Sequence, residues 1–283
     1  MRETFHHFLS TLDPAPVRTW SLILTLYGDC VLPRGGELWL KTLSEILNAL
    51  GIKPNSARAA MRRLERDGYL ECHKTGRTSH YALSERAVHL SHHAADLIYR
   101  TAAPVSGPGW DVLAIVDAQV NQKALLAEGF RPLMPGVFMR PAQPGKAAPV
   151  KAIRLTAQGD DKTIAAALYE LEELADRYRA FIDALPVLNA KACTAPPFEA
   201  VLLRLGLVHG FRRIVLRDPQ LPPTALPTDW PADTAYEAFA RTYSSLEPAS
   251  EAWLDENARN SAGPLAPPEH LARFSFTPIH KSS

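Results

Sequence analysis

The chain has 283 residues, 46% of them hydrophobic and 22% charged, and its 31 Lys and Arg nearly balance 30 Asp and Glu for a formal charge of +1. That composition is the one expected of a soluble globular protein, and the length suits two or three domains rather than one. A near-neutral balance excludes a molecule drawn as a whole onto a polyanion, so any nucleic-acid affinity must come from a local patch.

The N-terminal stretch MRETFHHFLSTLDPAP lacks a long apolar region and does not suit a signal peptide. The most apolar run, WSLILTLYGDCVL, is too short to span a bilayer and contains Asp29. Cys30, Cys72 and Cys193 stand far apart with no paired spacing, which argues for a reducing compartment and against a disulfide framework. The expectation is a cytoplasmic protein with no membrane association.

Trp20, Ile23, Leu24 and Tyr27 have the spacing of a helix with one buried face, over 17–30. Pro33, Gly35 and Gly36 break that pattern, and LWLKTLSEILNALG begins a second helix with Leu40, Leu43, Leu47 and Leu50 on one stripe. Pro54 suits the first turn of a third helix, which runs to about Asp67 and is stopped by Gly68. On a wheel of about 100° per residue, Ala57, Ala60, Met61 and Leu64 share one face. Asn55, Arg58, Ala59, Arg62 and Arg66 share the opposite one, and the small Ala59 lets that face approach a surface closely. After Gly68 the period changes to two, with Leu70 and Cys72 pointing inward, a Thr75-Gly76 turn, and then Ser79, Tyr81 and Leu83.

Residues 53–86 carry eight basic and four acidic side chains, so the positive charge of an otherwise slightly acidic chain is concentrated here. Three helices followed by a β-hairpin is the winged form of the helix-turn-helix, whose third helix enters the major groove of DNA. The candidate DNA-binding residues are Asn55, Ser56, Arg58, Ala59, Arg62 and Arg66 on the helix, with Lys74 and Arg77 on the wing. An exposed basic helix beside an unrelated hairpin is the alternative.

Residues 101–109 have a linker's composition. Beyond them WDVLAIVD is a strand, residues 121–129 a short helix, FRPLMPGVFMRP a hairpin, VKAIRLT a further strand and residues 160–185 a long helix. That order suggests a ferredoxin-like α+β domain. From about Pro196 the chain turns helical again, interrupted by the proline-rich PQLPPTALPTDWP. The expected division is a DNA-binding domain over 1–100, a linker over 101–109, a ferredoxin-like domain over 110–190 and a helical domain over 191–283.

No phosphate-binding loop, dinucleotide fingerprint, nucleophile elbow or His-Glu-x-x-His motif occurs, so no catalytic residues, cofactor or resident metal are assigned. His89, His92 and His93, or Cys72, His73 and His80, could seat a metal, but neither set has a recognised ligand spacing. Asp111 and Asp117 flank the first central strand, where a metal-dependent nuclease could use a carboxylate; turn capping is the plainer role. His209, Arg212, Arg213 and Arg217 form a cationic row that could grip an anionic ligand, against the alternative of a solvated helix end.

SLILTLYGDCVLPRGGELWLKTL, ARAAMRRLERDGYLECHKTGRTSHYALS, GFRPLMPGVFMRP and FRRIVLRDPQLPPTALPTDWP, in this order, resemble the PaaX family, bacterial repressors of phenylacetic acid degradation operons. The resemblance implies an N-terminal winged helix, a central ferredoxin-like (Cas2-like) domain and a helical C-terminal domain. It further implies a homodimer on palindromic double-stranded operator DNA, released by phenylacetyl-CoA or a related aryl-acyl-CoA. DNA contacts would fall between Asn55 and Arg66. A nuclease built on the central domain, or a winged helix that binds another protein, are the rival readings.

Overall fold

The computed structural model describes residues 2–76, 78–100, 109–115, 121–143, 152–269 and 273–274. The fold is mixed α+β, and the chain divides into two compact units. One comprises residues 1–102, 177–216 and 233–283; the other comprises 103–176 and 217–232.

This differs from the three-way division drawn from the sequence, in which 191–283 stands alone. The reason lies at the N-terminus, where helix α1 (Arg2–Leu12) packs on α9 (Pro197–Val215). Phe5 and Phe8 of α1 are buried, and they lie over Gly206 and Gly210 of α9. A Cβ on Gly206 would sit 2.9 Å from Phe5 Cδ2, so only glycine admits this close approach. The two ends of the chain therefore share one core.

In the first unit, α2 (Thr19–Leu26) continues into a π-helical turn (Tyr27–Val31) and a 3₁₀ turn (Leu32–Arg34). A short strand β1 (Glu37–Trp39), α3 (Leu40–Ala49) and α4 (Pro54–Arg66) follow. The hairpin of β2 (Leu70–Thr75) and β3 (Thr78–Leu83) then leads into α5 (Glu85–Tyr99), capped by Ser84 Oγ accepting from the Ala87 amide at 3.2 Å. The three strands form an antiparallel sheet in the order β1-β3-β2, with Leu38 opposite Tyr81 and Cys72 opposite Tyr81 on the other side. The sequence pattern placed Leu38 and Trp39 in the second helix; the structure moves them into β1. The rest of the unit is helical: α8 (Leu171–Ala192) from residue 177 onward, α9, and α10 (Ala232–Asn257). Phe181, Phe211, Phe239 and Tyr243 form its aromatic centre, with Phe211 stacked on Phe239 at 4.3 Å.

In the second unit, β4 (Trp110–Ala114), α6 (Gln122–Ala127), β5 (Arg131–Met134), β6 (Val137–Pro141) and β7 (Ile153–Ala157) build a four-stranded antiparallel sheet, order β5-β6-β4-β7. Trp110 and Met139 on one face pack against Ala165 and Leu168 of α7 (Asp161–Leu168), while Leu113 and Phe138 on the other pack with Leu125 and Phe130. The single helix expected over 160–185 is broken by extended backbone at Tyr169, which separates α7 from α8. Among the described residues, no helix is long and apolar enough to cross a membrane.

Candidate nucleic-acid interface

Helix α4 starts at Pro54, whose missing amide costs nothing in a first turn, and ends at Arg66. Gly68 adopts φ 72°, the left-handed turn that lets the Tyr69 amide reach the Leu64 carbonyl at 2.8 Å. Ala57, Ala60, Met61 and Leu64 are buried, and α4 packs on both α2 and α3. Asn55, Ser56, Arg58, Ala59, Arg62 and Arg66 are all exposed. The two faces divide along the lines the helical period gives, so the interior holds the helix by its apolar side and leaves the arginines outward.

The arginines are not equivalent. Asp67 accepts from Arg63 Nε at 3.3 Å and from Arg66 Nε at 3.1 Å, which offsets part of the charge at the C-terminal end. Arg63 also lies over the Trp20 ring at 5.1 Å. Arg58 Nη1 donates to the neutral Asn55 side chain, at 2.9 Å. Among the described residues no carboxylate pairs with Arg58 or Arg62. They lie about 6 Å apart along the axis, and both are exposed. Arg66 is exposed but engaged with Asp67.

Lys74 is exposed near the tip of the β2–β3 hairpin, and Arg77 lies outside the described residues. His80 is buried on this hairpin: the Trp39 indole donates to its Nε2 at 3.1 Å, and its Nδ1 lies 4.0 Å from Glu37. It is thereby turned to β1. His89, His92 and His93 are exposed on α5. Among the described residues no group of three His, Cys, Asp or Glu side chains could hold a metal.

Asp111 is buried and spoken for, accepting from Arg140 at 3.2 Å and from Arg154 at 3.0 Å, so its carboxylate serves the sheet; Asp117 lies outside the described residues.

The row His209, Arg212, Arg213 and Arg217 does not exist as one exposed surface. His209 is buried, with Nδ1 2.9 Å from Thr25 Oγ1. Burial, and then the charges of Arg212 and Arg213, push its pKa down to about 3, so it is neutral near pH 7. Arg213 forms an ion pair with Asp13. Arg212 turns inward and donates from Nη1 to the Ser21 carbonyl at 3.0 Å and to Thr25 Oγ1 at 2.8 Å. Arg217 is exposed and falls in the other unit. Helical spacing brought the four onto neighbouring positions but could not say which way the helix faces.

One network carried no sequence signal. Asp29, in the π-helical turn, accepts from Arg204 Nε at 2.8 Å, Tyr99 Oη at 2.7 Å and Tyr243 Oη at 3.0 Å. Despite complete burial, the guanidinium groups of Arg204 and Arg273 hold its carboxyl below the usual range. Arg204 and Arg34 each pair with Glu251 of α10. These partners are spread over the whole length of the chain.

The PaaX-like protein family model matches residues 18–87, which span α2 through the hairpin and the first turn of α5, and the PaaX-like protein C-terminal domain model matches residues 169–256. A transcriptional repressor PaaX of Escherichia coli (strain K12) is 32% identical, covering 92% of this chain and 90% of that protein. The chain belongs to the PaaX-like family. An uncharacterized protein of Mycobacterium tuberculosis, Rv0674, has a similar fold, with a TM-score of 0.52 and 20% identity over 82% of this chain and 97% of its own. The N-terminal match to the family falls on the elements that carry and hold the arginine face of α4.

Proposed function

We propose that this protein is a transcriptional repressor acting in the cytoplasm, which binds double-stranded operator DNA of an aromatic-acid (phenylacetate) catabolic operon. The observation that carries the reading is the outward face of α4. It offers two uncompensated arginines around a bare Ala59, on a helix of the width a major groove accepts, within a family whose Escherichia coli member is named a transcriptional repressor. In this reading α2, α3, α4 and the β2–β3 hairpin act as a winged helix-turn-helix, with α4 reading bases and Lys74 and Arg77 reaching phosphate or the minor groove. The second unit is read as ferredoxin-like (Cas2-like), supported by its antiparallel strand order β5-β6-β4-β7 and by a helix between the first two strands. The helices beyond residue 190 are read as the C-terminal portion that completes the core with α1. The protein has no enzymatic role in this account.

Repression needs two half-sites for specificity, so the active form is a homodimer on a palindrome. Release comes from an aryl-acyl-CoA such as phenylacetyl-CoA, which must favour the form that does not bind DNA; equal affinity for both forms would shift nothing. The experiment is operator release titrated separately with phenylacetyl-CoA, acetyl-CoA and phenylacetate. Release by phenylacetyl-CoA alone supports the reading, and release by none of the three, or by phenylacetate alone, removes the inducer from it.

A further inference from the structure

Beyond α10 the chain is laid back along the early elements of the first unit. Ser261 Oγ donates to Glu37 Oε2 at 2.6 Å, Arg34 Nη1 donates to the Ala266 carbonyl at 2.9 Å, and the Glu269 amide donates to the Pro33 carbonyl at 2.7 Å. Further on, Arg273 and Phe274 occupy a socket walled by Asp29 of the π-helical turn, Tyr99 of α5, and Phe239 and Tyr243 of α10. The Phe274 ring meets all three aromatic rings edge-on, 5.8 Å from Tyr99 and 5.6 Å from Phe239 and Tyr243, an arrangement that suits their quadrupoles. The Arg273 guanidinium lies over Tyr99 at 4.6 Å and Tyr243 at 5.3 Å, and its Nη2 donates to the Asp29 carbonyl at 2.8 Å. Glu247 stands 3.9 Å from its Nη1.

The walls hold together without this occupant. The Asp29 carboxylate already accepts from Arg204, Tyr99 and Tyr243, which takes up most of what a carboxylate can accept, and Glu251 joins Arg204 to Arg34. The occupant, by contrast, is seated at a cost. Phe274 has φ 59°, a left-handed backbone that an aromatic residue rarely adopts. The buried Nε of Arg273 has no acceptor among the described residues. Phe274 is also only half-buried, so it can leave without opening the core.

We propose that Arg273 and Phe274 are a detachable strap, a peptide ligand carried by the chain itself in a socket that takes a cation followed by an aromatic ring. Acid at Asp29 and Glu247 selects the cation, and the three rings select its neighbour. The strap fastens the π-helical turn that follows α2 to Tyr99 at the end of α5, since Arg273 bonds Asp29 and the Phe274 amide donates to the Tyr99 carbonyl at 2.7 Å. It thereby ties the two ends of the region that contains α4 and the hairpin, and α2 is one of the helices on which α4 packs. Release of the strap loosens the seat of α4 and weakens DNA binding. This last step rests on the repressor reading; the socket does not.

The test uses the full-length chain carrying Arg273→Ala and Phe274→Ala together, which empties the socket and leaves its walls, and a fluorescently labelled peptide of residues 270–280. By fluorescence anisotropy the emptied chain should bind the peptide at least tenfold more tightly than the parent, whose own strap competes at an effective concentration on the order of millimolar. A peptide with the same two replacements should lose at least tenfold. Circular dichroism checks folding, and Phe274→Ala alone serves if the double variant does not fold. No binding by the emptied chain, or equal binding by both chains, would overturn the socket. Operator affinity several-fold weaker in the emptied chain and recovered with the peptide supports the coupling, and an affinity equal to the parent's would overturn the coupling while the socket stands. A parent chain that binds no operator would refute the repressor reading and leave the socket to the peptide result.

Discussion

Protonation of His209 should make this protein lose stability in mild acid. The ring is fully buried beside Thr25, and its pKa lies at about 3 against an ordinary value near 6.5. Above pH 6.5 neither the folded nor the unfolded chain protonates this ring, so it contributes no pH dependence there. Below pH 6.5 the unfolded chain takes up the proton and the folded chain does not, so folding weakens as pH falls toward 3. Each pH unit in that window costs about 1.4 kcal/mol, which gives about 2 kcal/mol by pH 5. The assay is urea unfolding at pH 7.5, 6 and 5 on the parent and on His209→Gln, since only the difference between the two isolates this ring from the other histidines. The parent should lose about 2 kcal/mol more than the variant between pH 7.5 and 5. Parallel pH profiles for the two proteins, or a ring proton seen by NMR to titrate near 6.5, would refute the reasoning.

Asp29→Ala should destabilise the fold by about 3–5 kcal/mol, because it leaves the buried Arg204 and two tyrosine hydroxyls without their common acceptor; a thermal melt with the loss under about 1 kcal/mol would contradict the role given to the network. Neutralising Lys74 and Arg77 together should weaken DNA binding alike across sequences and lower the salt slope by about one to two units; a slope equal to the parent's would place the hairpin away from DNA. Equilibrium sedimentation should show a dimer at micromolar concentration, free or on DNA, and a monomer in both conditions would contradict the two-half-site account.

Helix α4 and its two faces were legible in the sequence because a 3.6-residue period assigns faces directly. Ala57, Ala60, Met61 and Leu64 could only turn inward together, and that turned Arg58 and Arg62 outward. The hairpin was legible for the same reason at period two, with Leu70 paired to Leu83. A three-residue strand such as β1 is too short to show any period, so Leu38 and Trp39 were absorbed into the neighbouring helical pattern. What failed were statements about partners far along the chain. The spacing of His209 and Arg213 shows that they share a helix face, but whether that face meets solvent depends on α2 and on Asp13, roughly 200 residues away. Asp29 is an unremarkable acid in an apolar run until Arg204 and Tyr243 are folded against it. The C-terminal helices looked like a domain of their own because nothing local to them shows that α1 lies across Gly206 and Gly210.

The central claim, that α4 reads DNA sequence, is tested most directly by measuring discrimination instead of affinity alone. Duplexes selected from a random pool by the parent protein supply the specific site, and a scrambled duplex of equal composition the reference. Arg58→Ala and Arg62→Ala should each cost about 1–3 kcal/mol on the selected site, roughly 5- to 150-fold, with a smaller loss on the scrambled duplex, so that the ratio of the two affinities falls. An unchanged ratio in both variants, with circular dichroism showing the fold intact, would contradict a reading role for this helix.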